Sequence, residues 1–230
     1  MELSNLSSFS LKTPLLFLYF KEYMFNNLSK DKHKKLLNKI KDIMSLVLTN
    51  NEIKDLINRL PYIKEKLNED ALTSYKLDPS YNSLEEAILT SPGLYAIMGY
   101  RISNALVLNK VKIVPRLLSE CIHSQTGIDI NPEAYIGRNF FIDHGTGIVI
   151  GGTAYIGDNV KLYHGVTLGS KFDKTIDELR ILKRHPTIEN DVTIYSNSTI
   201  LGGKTIIGEG SIIGCNKVVK ESVSPYTKIV

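Results

Sequence analysis

The stretch IDINPEAYIGRNFFIDHGTGIVIG, residues 128–151, decides the fold of this chain. An aliphatic residue returns within it every six positions, and the same interval recurs, with breaks, through the rest of the sequence. The aliphatic positions are Ile130, Ile136, Ile142, Ile150, Ile156, Leu162, Leu168, Ile188, Ile194, Ile200, Ile207, Ile213 and Val219. A repeat of six residues is not helical and is typical of a hexapeptide β-helix, in which each unit supplies one short strand and one corner. Three units close one triangular coil, so the pattern predicts about four coils with the aliphatic side chains in their centre.

The hexapeptide period is broken in three places. The breaks are two extra residues before Ile150, an excursion at 169–187, and one extra residue before Ile207. Counting sides from Ile130, we assign all three breaks to the corner that follows the third side of a coil. Bulges and loops that interrupt a regular scaffold are often where sites are built. We therefore expect one edge of the prism to carry the functional groups.

Titratable residues lie at the same corner in this interpretation. Asp143 and His144 follow the third side of the first coil, and His164 occupies the corresponding place one coil later. The two imidazoles should therefore stack near the strand spacing of about 4.8 Å. Asp129 is expected at the same corner, and the Lys-Arg-His segment at 183–185 is expected to fold back over it.

Composition and charge argue against several classes of function. The chain has 230 residues and a formal net charge of +4, without a basic stripe interleaved with aromatic residues, so we expect no nucleic-acid partner. Its two cysteines, Cys121 and Cys215, lie far apart without a CxxC motif, which argues against a disulfide scaffold or a zinc ribbon and suits a reducing cytoplasm. The apolar run at 15–20 is too short to span a bilayer. We expect a cytoplasmic protein with no membrane partner and no bound metal.

Residues 1–120 are predicted to form an α-helical domain. Apolar residues at 36–48 follow helical spacing with lysines on the opposite face. A following helix is expected to be interrupted by Pro61, and residues 83–86, Ser-Leu-Glu-Glu, form a capping box. The predicted fold class is α+β: this domain, used for packing and oligomerisation, precedes a left-handed parallel β-helix of about four triangular coils over 121–230.

The motifs of the chain resemble those of serine O-acetyltransferases. The matching segments are IDINPEA (128–134), IGR (136–138), FIDHGTGIVIG (141–151), VTLG (166–169) and KRHP (183–186), with DP (78–79), PG (92–93) and YRI (100–102) in the helical half. The resemblance covers about residues 76–223. Hexapeptide repeats alone occur in acyltransferases of many specificities, whereas this ordered set, from the Asp129 motif to Arg184-His185-Pro186, is specific.

The resemblance implies transfer of acetyl from acetyl-CoA to the hydroxyl of L-serine, giving O-acetylserine and CoA in cysteine biosynthesis. Such a reaction needs a base that takes the hydroxyl proton, and a histidine of near-neutral pKa is suited to this. A carboxylate on the other ring nitrogen fixes the tautomer and stabilises the imidazolium. We assign His144 as the base and Asp129 as its orienting partner.

A serine substrate also brings an ammonium and a carboxylate to the site. By resemblance, Asp143 and Asp78 contact the ammonium, and Arg184 and His185 contact the carboxylate. The planar fork of an arginine suits a bidentate carboxylate better than a lysine does.

Acetyl-CoA is expected as a co-substrate that lies along the coils, with no cofactor bound permanently. Matched by position, its candidate contacts are Gly169, Ser196 and Gly214. The resemblance implies a homotrimer or a dimer of trimers, with acetyl-CoA between neighbouring prisms. The chain ends at Val230 without the family's extended tail, so we do not expect the complex with the sulfhydrylase that makes cysteine.

Several features depart from the family's usual pattern. His164 stands where a glutamine is usual, and we interpret it as structural or as a neighbour of groups that touch the ligand. Gly145 stands where an alanine is usual. The loop at 170–183 is longer than in well-known members and carries Asp173, Asp177 and Glu178.

Three other functions are weighed against this one. The first is acetylation of another hydroxyl acceptor, such as homoserine or a sugar, although a sugar lacks the charged ends that Asp143 and Arg184 suit. The second is a hexapeptide carbonic anhydrase, which needs three histidines on one zinc, whereas here the histidines lie about one coil apart. The third is a non-catalytic assembly scaffold, which does not explain why titratable groups coincide with the breaks in the period.

Overall fold

The computed structural model describes residues 2–171 and 175–230. Its N-terminal part is helical, and a further short helix lies in the excursion. The helices are α1 (Leu3–Phe25), α2 (Lys30–Met44), α3 (Asn50–Leu77), α4 (Leu84–Thr90), α5 (Pro92–Leu108), α6 (Val114–Thr126) and α7 (Ile176–Ile181). Within the described ranges, no helix combines the length and the apolar character needed to cross a membrane.

Short parallel strands follow α6 and stack into three sheets. The strands are β1 (Asp129–Ile130), β2 (Tyr135–Ile136), β3 (Phe141–Asp143), β4 (Val149–Ile150), β5 (Tyr155–Ile156), β6 (Lys161–Tyr163), β7 (Thr167–Gly169), β8 (Thr187–Ile188), β9 (Thr193–Ile194), β10 (Thr199–Leu201), β11 (Ile206–Ile207), β12 (Ile212–Ile213), β13 (Val218–Val219) and β14 (Lys228–Ile229). Face A has the order β1-β4-β7-β10-β13, face B the order β11-β8-β5-β2, and face C the order β14-β12-β9-β6-β3. The predicted helical region followed by a parallel β-helix is confirmed.

The centre of the β-helix is aliphatic, as the period predicts. Ile156, Leu162, Leu168, Ile194 and Ile213 are all fully buried. Each such side chain contributes about 1.5–3 kcal/mol when it leaves water. The hexapeptide spacing therefore acts through packing of one residue from each side of every coil.

The β-helix has about five coils, so the predicted number of four is wrong. The additional coil contains β13 and β14. Lys228 of β14 pairs with Ile212 of β12, and Val223 bridges to Ile207. The aliphatic period stops at Val219 in the sequence. The fifth coil still forms, because its backbone pairs with the coil below.

The assignment of sides from spacing is wrong after Leu168. Leu168 lies in β7 on face A, whereas Ile188 of β8 lies on face B, opposite Ile156. The excursion therefore leaves where the chain passes from face A to face B, and so does the extra residue before Ile207, because β10 is on face A and β11 on face B. Of the three breaks, only the first, the two extra residues before Ile150, lies where the chain passes from face C to face A.

Two lines of turns border face A. The C–A corner comprises residues 144–148, 164–166, 195–198 and 214–217. The A–B corner comprises residues 131–134, 151–154, 202–205 and the described parts of 170–186. The residues chosen from the sequence lie in or directly beside these two corners, except Asp78, which caps the end of α3.

The helix α3 is continuous, so the expected interruption at Pro61 is wrong. A proline inside a helix lacks the amide hydrogen for one helical hydrogen bond and crowds the preceding turn. Leu60, Ile63 and Leu67 on both sides of it are buried. Packing of this face therefore offsets the local cost.

The helix ends differ in detail from the prediction. Ser83 caps α4 by accepting a hydrogen bond from the Glu86 amide at 3.1 Å. The Glu86 carboxylate accepts from the Asn82 amide at 2.7 Å, so the predicted capping box is half formed. The last N-terminal helix ends at Thr126 and β1 begins at Asp129, while the division into domains 1–120 and 121–230 stays a prediction.

The start of α5 packs directly on the strand that ends at the site. A Cβ on Gly93 would lie 2.4 Å from the Ile142 carbonyl oxygen, so this position needs a glycine. The Pro92-Gly93 break in the sequence therefore places α5 against β3, immediately before Asp143.

Candidate active site

His144 lies at the tip of the tight turn that follows β3. Its φ is 54°, in the left-handed region that few residues other than glycine adopt, and the Gly145 amide donates to the Asp143 carbonyl oxygen at 2.6 Å. The imidazole stands out from the prism with 75% of its side chain exposed, and its Nε2 lies 3.8 Å from Asp143 Oδ1. Asn197 and Asn216 have nearly the same φ at the C–A corner of later coils, so this backbone conformation is regular there, and His144 is distinguished by its exposed imidazole.

His164 lies one coil above His144, as predicted. Asp143 and Tyr163, the residues before them, are paired between β3 and β6. The imidazole centroids are 6.0 Å apart with their planes at 63°, so the rings meet edge to face and do not stack. His164 Nδ1 lies 3.5 Å from Ser196 Oγ on the next coil. The C–A corner therefore carries His144, His164 and Ser196 in one row.

Asp129 begins face A of the first coil, beside the turn that carries His144. A Cβ on Gly127 would contact Thr146 at 3.4 Å, so the two segments touch. Among the described residues, however, no hydrogen bond joins Asp129 to His144, and the buried Asp129 Oδ1 has no hydrogen-bond partner. The nearest cation is Arg116, whose Nη1 lies 3.9 Å from this oxygen. The role of Asp129 as the orienting partner stays a prediction.

Three potential metal ligands meet near Asp129. One ligand atom each of Glu120, His123 and Asp129 lies within 4.8 Å of the others. Arg116 already forms an ion pair with Glu120, and His123 Nδ1 lies 3.3 Å from Glu120 Oε2. We interpret the group as an ion-pair network, since the Arg116 guanidinium lies within ion-pair distance of both carboxylates.

The Lys-Arg-His segment at 183–185 lies at the A–B corner. The backbone amides of Arg184 and His185 donate to Thr153 Oγ1 at 2.9 and 3.0 Å. The expectation that this segment folds back over His144 of the same chain is therefore wrong, because the two lie at opposite borders of face A. The spacing predicted that the excursion leaves after the third side of a coil, whereas it starts from β7 on face A.

Arg184 and His185 line a cavity of about 330 Å³ beside α7. Arg184 Nη1 donates to the Leu179 carbonyl oxygen at 2.6 Å, which leaves further guanidinium donors for an anion. Burial, with the positive charges of Arg184 and Lys183, lowers the pKa of His185 to about 4. His185 is therefore neutral at pH 7, and Arg184 supplies a positive charge.

The other residues predicted to bind serine have different surroundings. Asp143 is 21% exposed beside His144. Asp78 ends α3, and its Oδ1 accepts from the Ser80 amide at 2.9 Å, a turn contact that needs no ligand. The predicted contact of Asp78 with the serine ammonium stays a prediction.

The candidate acetyl-CoA contacts divide between the two corners. Ser196 and Gly214 follow β9 and β12, in the row above His144. Gly169 ends β7 at the A–B corner, where it pairs with Leu201. Within one chain, Gly169 therefore lies at the same corner as Arg184 and at the opposite border of face A from His144.

The acidic residues of the excursion have partly structural roles. Glu178 accepts a hydrogen bond from the Thr175 amide at 2.9 Å in a capping box that starts α7. Asp177 forms an ion pair with Arg180 at 3.0 Å. Asp173 lies outside the described residues.

No protein-family model matches the chain. Over 166 residues, 72% of its length, the chain is 40% identical to the serine acetyltransferase of Staphylococcus epidermidis, and the match spans 75% of that protein. The chain belongs to the serine acetyltransferase family.

Other serine acetyltransferases match shorter segments. The chain is 45% identical over 138 residues to the plasmid serine acetyltransferase of Synechococcus elongatus, a match that covers 59% of the chain and 43% of that protein. It is 44% identical over 128 residues to the Bacillus subtilis serine acetyltransferase, covering 56% of each. The chain thus spans about half the length of these curated relatives.

Solved serine acetyltransferases share the fold over nearly the whole length of this chain. Serine acetyltransferase 1 of Entamoeba histolytica, in complex with L-cysteine, has a TM-score of 0.86 at 31% identity, covering 95% of this chain and 86% of that one. A serine acetyltransferase in complex with CoA has a TM-score of 0.71 at 28% identity, covering 93% and 79%. The predicted resemblance and the left-handed β-helix acetyltransferase fold are confirmed.

Thr153 and Arg116 are residues near the site that the sequence analysis missed. The partners of Thr153 lie 31 and 32 positions away, across the excursion. Arg116 and Glu120 have the i, i+4 spacing of a helical ion pair, which is a readable signal. The sequence carries no signal that Thr153 lies beside Arg184 and His185. It also carries none that Arg116 lies beside Asp129.

Proposed function

We propose that this protein is a serine O-acetyltransferase, which transfers acetyl from acetyl-CoA to the hydroxyl of L-serine. The observation that carries the proposal is the exposed imidazole of His144, which lies 3.8 Å from Asp143 Oδ1 at the tip of the turn after β3. A general base must reach the hydroxyl of the substrate, and the exposure of this ring allows that contact. Membership of the serine acetyltransferase family supports the choice of donor and acceptor.

His144 acts as the general base in this proposal. Its neutral imidazole takes the serine hydroxyl proton as the serine oxygen attacks the thioester carbonyl carbon. The carbon–sulfur bond then breaks, and the proton passes from His144 to the departing thiolate, giving CoA and O-acetylserine. Asp129, as the orienting partner, stabilises the imidazolium formed in between.

The complete site is proposed to form between two copies of the chain. His144 and Arg184 lie at opposite borders of face A, so a single chain holds the base and the carboxylate-binding residues apart. In a homotrimer, or a dimer of trimers, the C–A corner of one protomer faces the A–B corner of the next. Closed cyclic symmetry then repeats the same site at each interface.

Acetyl-CoA is proposed to lie in the groove between these protomers. Ser196 and Gly214 of the C–A corner continue the row above His144, and Gly169 reaches the groove from the neighbouring A–B corner. The thioester is thereby brought to His144, where serine is held by Arg184 and His185 at its carboxylate and by Asp143 and Asp78 at its ammonium.

A thiol-release assay with acetyl-CoA tests the function. L-Serine, L-homoserine and a hexose are supplied in parallel as acceptors at equal concentration. We expect CoA release with serine to exceed release with the other acceptors, because a hexose lacks both charged groups and homoserine moves its hydroxyl one carbon further. Equal rates with the sugar, or no serine-dependent release, contradict the proposal.

A further inference from the structure

The hydroxyl of Thr153 has three hydrogen-bond partners in one short segment. Its Oγ1 accepts from the backbone amides of Arg184 and His185 at 2.9 and 3.0 Å. It also lies 2.9 Å from His185 Nδ1. A hydroxyl has one proton and two lone pairs. The two amides occupy both lone pairs, so the remaining hydroxyl proton points to Nδ1.

A second donor converges on the same nitrogen. The backbone amide of Thr153 donates to His185 Nδ1 at 3.1 Å. Two donors aimed at Nδ1 require that this nitrogen carry no proton. His185 is thereby held as the neutral tautomer that has its proton on Nε2.

The ring has little freedom to turn away from Thr153. His185 is 8% exposed, and a Cβ on Gly151 would lie 2.1 Å from its Nε2 and Cδ2. The absence of a side chain at Gly151 therefore leaves the space that the His185 ring occupies. Lys183 Nζ also donates to the His185 carbonyl oxygen at 2.6 Å. Among the described residues Nε2 itself has no hydrogen-bond partner, so its proton is available to a ligand.

We propose that Thr153 is a positioning residue that fixes His185 with its proton on Nε2, which makes His185 a hydrogen-bond donor to the substrate carboxylate and not a second base. This inference rests on the proposed function, in which His185 contacts serine. It divides the histidines by role: His144 accepts a proton, whereas His185 donates a hydrogen bond. A buried donor that is oriented before serine binds loses no free energy to rearrangement on binding.

The tautomer can be read directly, without substrate. In two-bond proton–nitrogen correlation spectra of the full-length protein at pH 7, we expect the His185 signal to show a protonated Nε2 and a bare Nδ1. The chain has five histidines, and a His185→Gln variant assigns this signal by its loss. A wild-type His185 that is an imidazolium, or that carries its proton on Nδ1, overturns the proposal.

Variants of Thr153 connect the tautomer to serine binding. Thr153→Val removes the hydroxyl at nearly constant volume but keeps the backbone donor to Nδ1. Because one of the two donors is lost, we expect a shifted Nδ1 resonance of His185 and a KM for serine raised about tenfold or more, as for a lost bond to a charged group. The KM for acetyl-CoA should change less than twofold. Thr153→Ser keeps the hydroxyl and should restore both the spectrum and the KM. Thr73→Val, on the distant surface of α3, is the control and should match the wild type.

The outcomes separate this inference from the proposed function. An unchanged His185 spectrum in Thr153→Val, or a failure of Thr153→Ser to restore it, overturns the inference even if serine is acetylated. The expected spectra in a protein that does not acetylate serine support the fixed tautomer and contradict the proposed function. If Thr153→Val does not fold, the wild-type and Thr153→Ser spectra still decide the tautomer.

Discussion

Arg101 Nε lies 2.6 Å from Asp70 Oδ2, in a buried ion pair that joins α5 to α3. Arg101 Nη2 also donates to the Gly137 carbonyl oxygen at 2.9 Å, and the Phe140 amide donates to Asp70 Oδ1 at 3.0 Å. Gly137 and Phe140 belong to the turn between β2 and β3. The pair therefore holds both helices against the first coil, next to the strand that ends at Asp143.

Asp70→Ala should lower the free energy of unfolding by about 3–5 kcal/mol, because it leaves the Arg101 charge buried and unpaired. Denaturant unfolding measures the change. The matched control is Arg180→Gln at the exposed ion pair with Asp177, where a loss of about 1 kcal/mol or less is expected. Equal effects of the two substitutions would show that the buried pair has no special role.

His144→Ala should lower turnover by about a hundredfold or more, the usual scale for removal of a general base. The side chain is 75% exposed, so circular dichroism and thermal unfolding should be nearly unchanged. His33→Ala on α2, remote from both corners, is the control and should keep wild-type turnover. Near-normal turnover in the His144 variant would refute its role as the base.

Arg184→Ala should raise the KM for serine about tenfold or more, because it removes a charged donor to the substrate carboxylate. Arg184→Lys should recover part of the loss, since it keeps the charge and loses the fork. Arg59→Ala removes an exposed arginine of α3, whose Nε donates to Asn109 Oδ1 at 3.1 Å, and should leave the KM within about twofold. Steady-state kinetics with serine varied at saturating acetyl-CoA provide the test. A KM that responds equally to both alanine variants would count against the carboxylate contact.

The lowered pKa of His185 predicts a pH dependence of stability. Its pKa is about 4 in the folded protein, against an ordinary value of 6.5, so between these values the unfolded chain binds more protons. The free energy of unfolding must then rise with pH in this window, and this contribution is lost as the pH falls from 6.5 towards 4. His185→Gln should show a shallower decline than the wild type in denaturant unfolding from pH 7 to pH 4.5. The same slope in both proteins would contradict the neutral, buried histidine.

The aliphatic period predicted the core of the β-helix because each coil needs one apolar side chain per side. It could not assign Ile188 to face B, because spacing carries no register across an excursion of this length. Backbone pairing of Ile188 with Ile156 settles the question in the structure. The fifth coil was not predicted for a related reason. Its last side forms by backbone pairing of Lys228 with Ile212, which the aliphatic period does not reveal.

The positions of the candidate residues were predicted only in part. His144 and His164 fall on one corner, because they hold equivalent places in adjacent, regular coils. Arg184 and His185 follow the excursion, so their position depends on a tertiary contact with Thr153. Such contacts between distant segments have no local signature in a single sequence.

The central claim is that the C–A corner of one protomer and the A–B corner of its neighbour act on the same serine. Mixing tests it directly: His144→Ala and Arg184→Ala chains are purified separately, dissociated, recombined in equal amounts, and assayed for serine-dependent CoA release. Random closed trimers then contain intact interfaces at about a quarter of the sites. We predict that the mixture recovers about that share of wild-type activity, while each variant alone stays nearly inactive at low serine. A mixture no more active than its separate components would contradict the shared site.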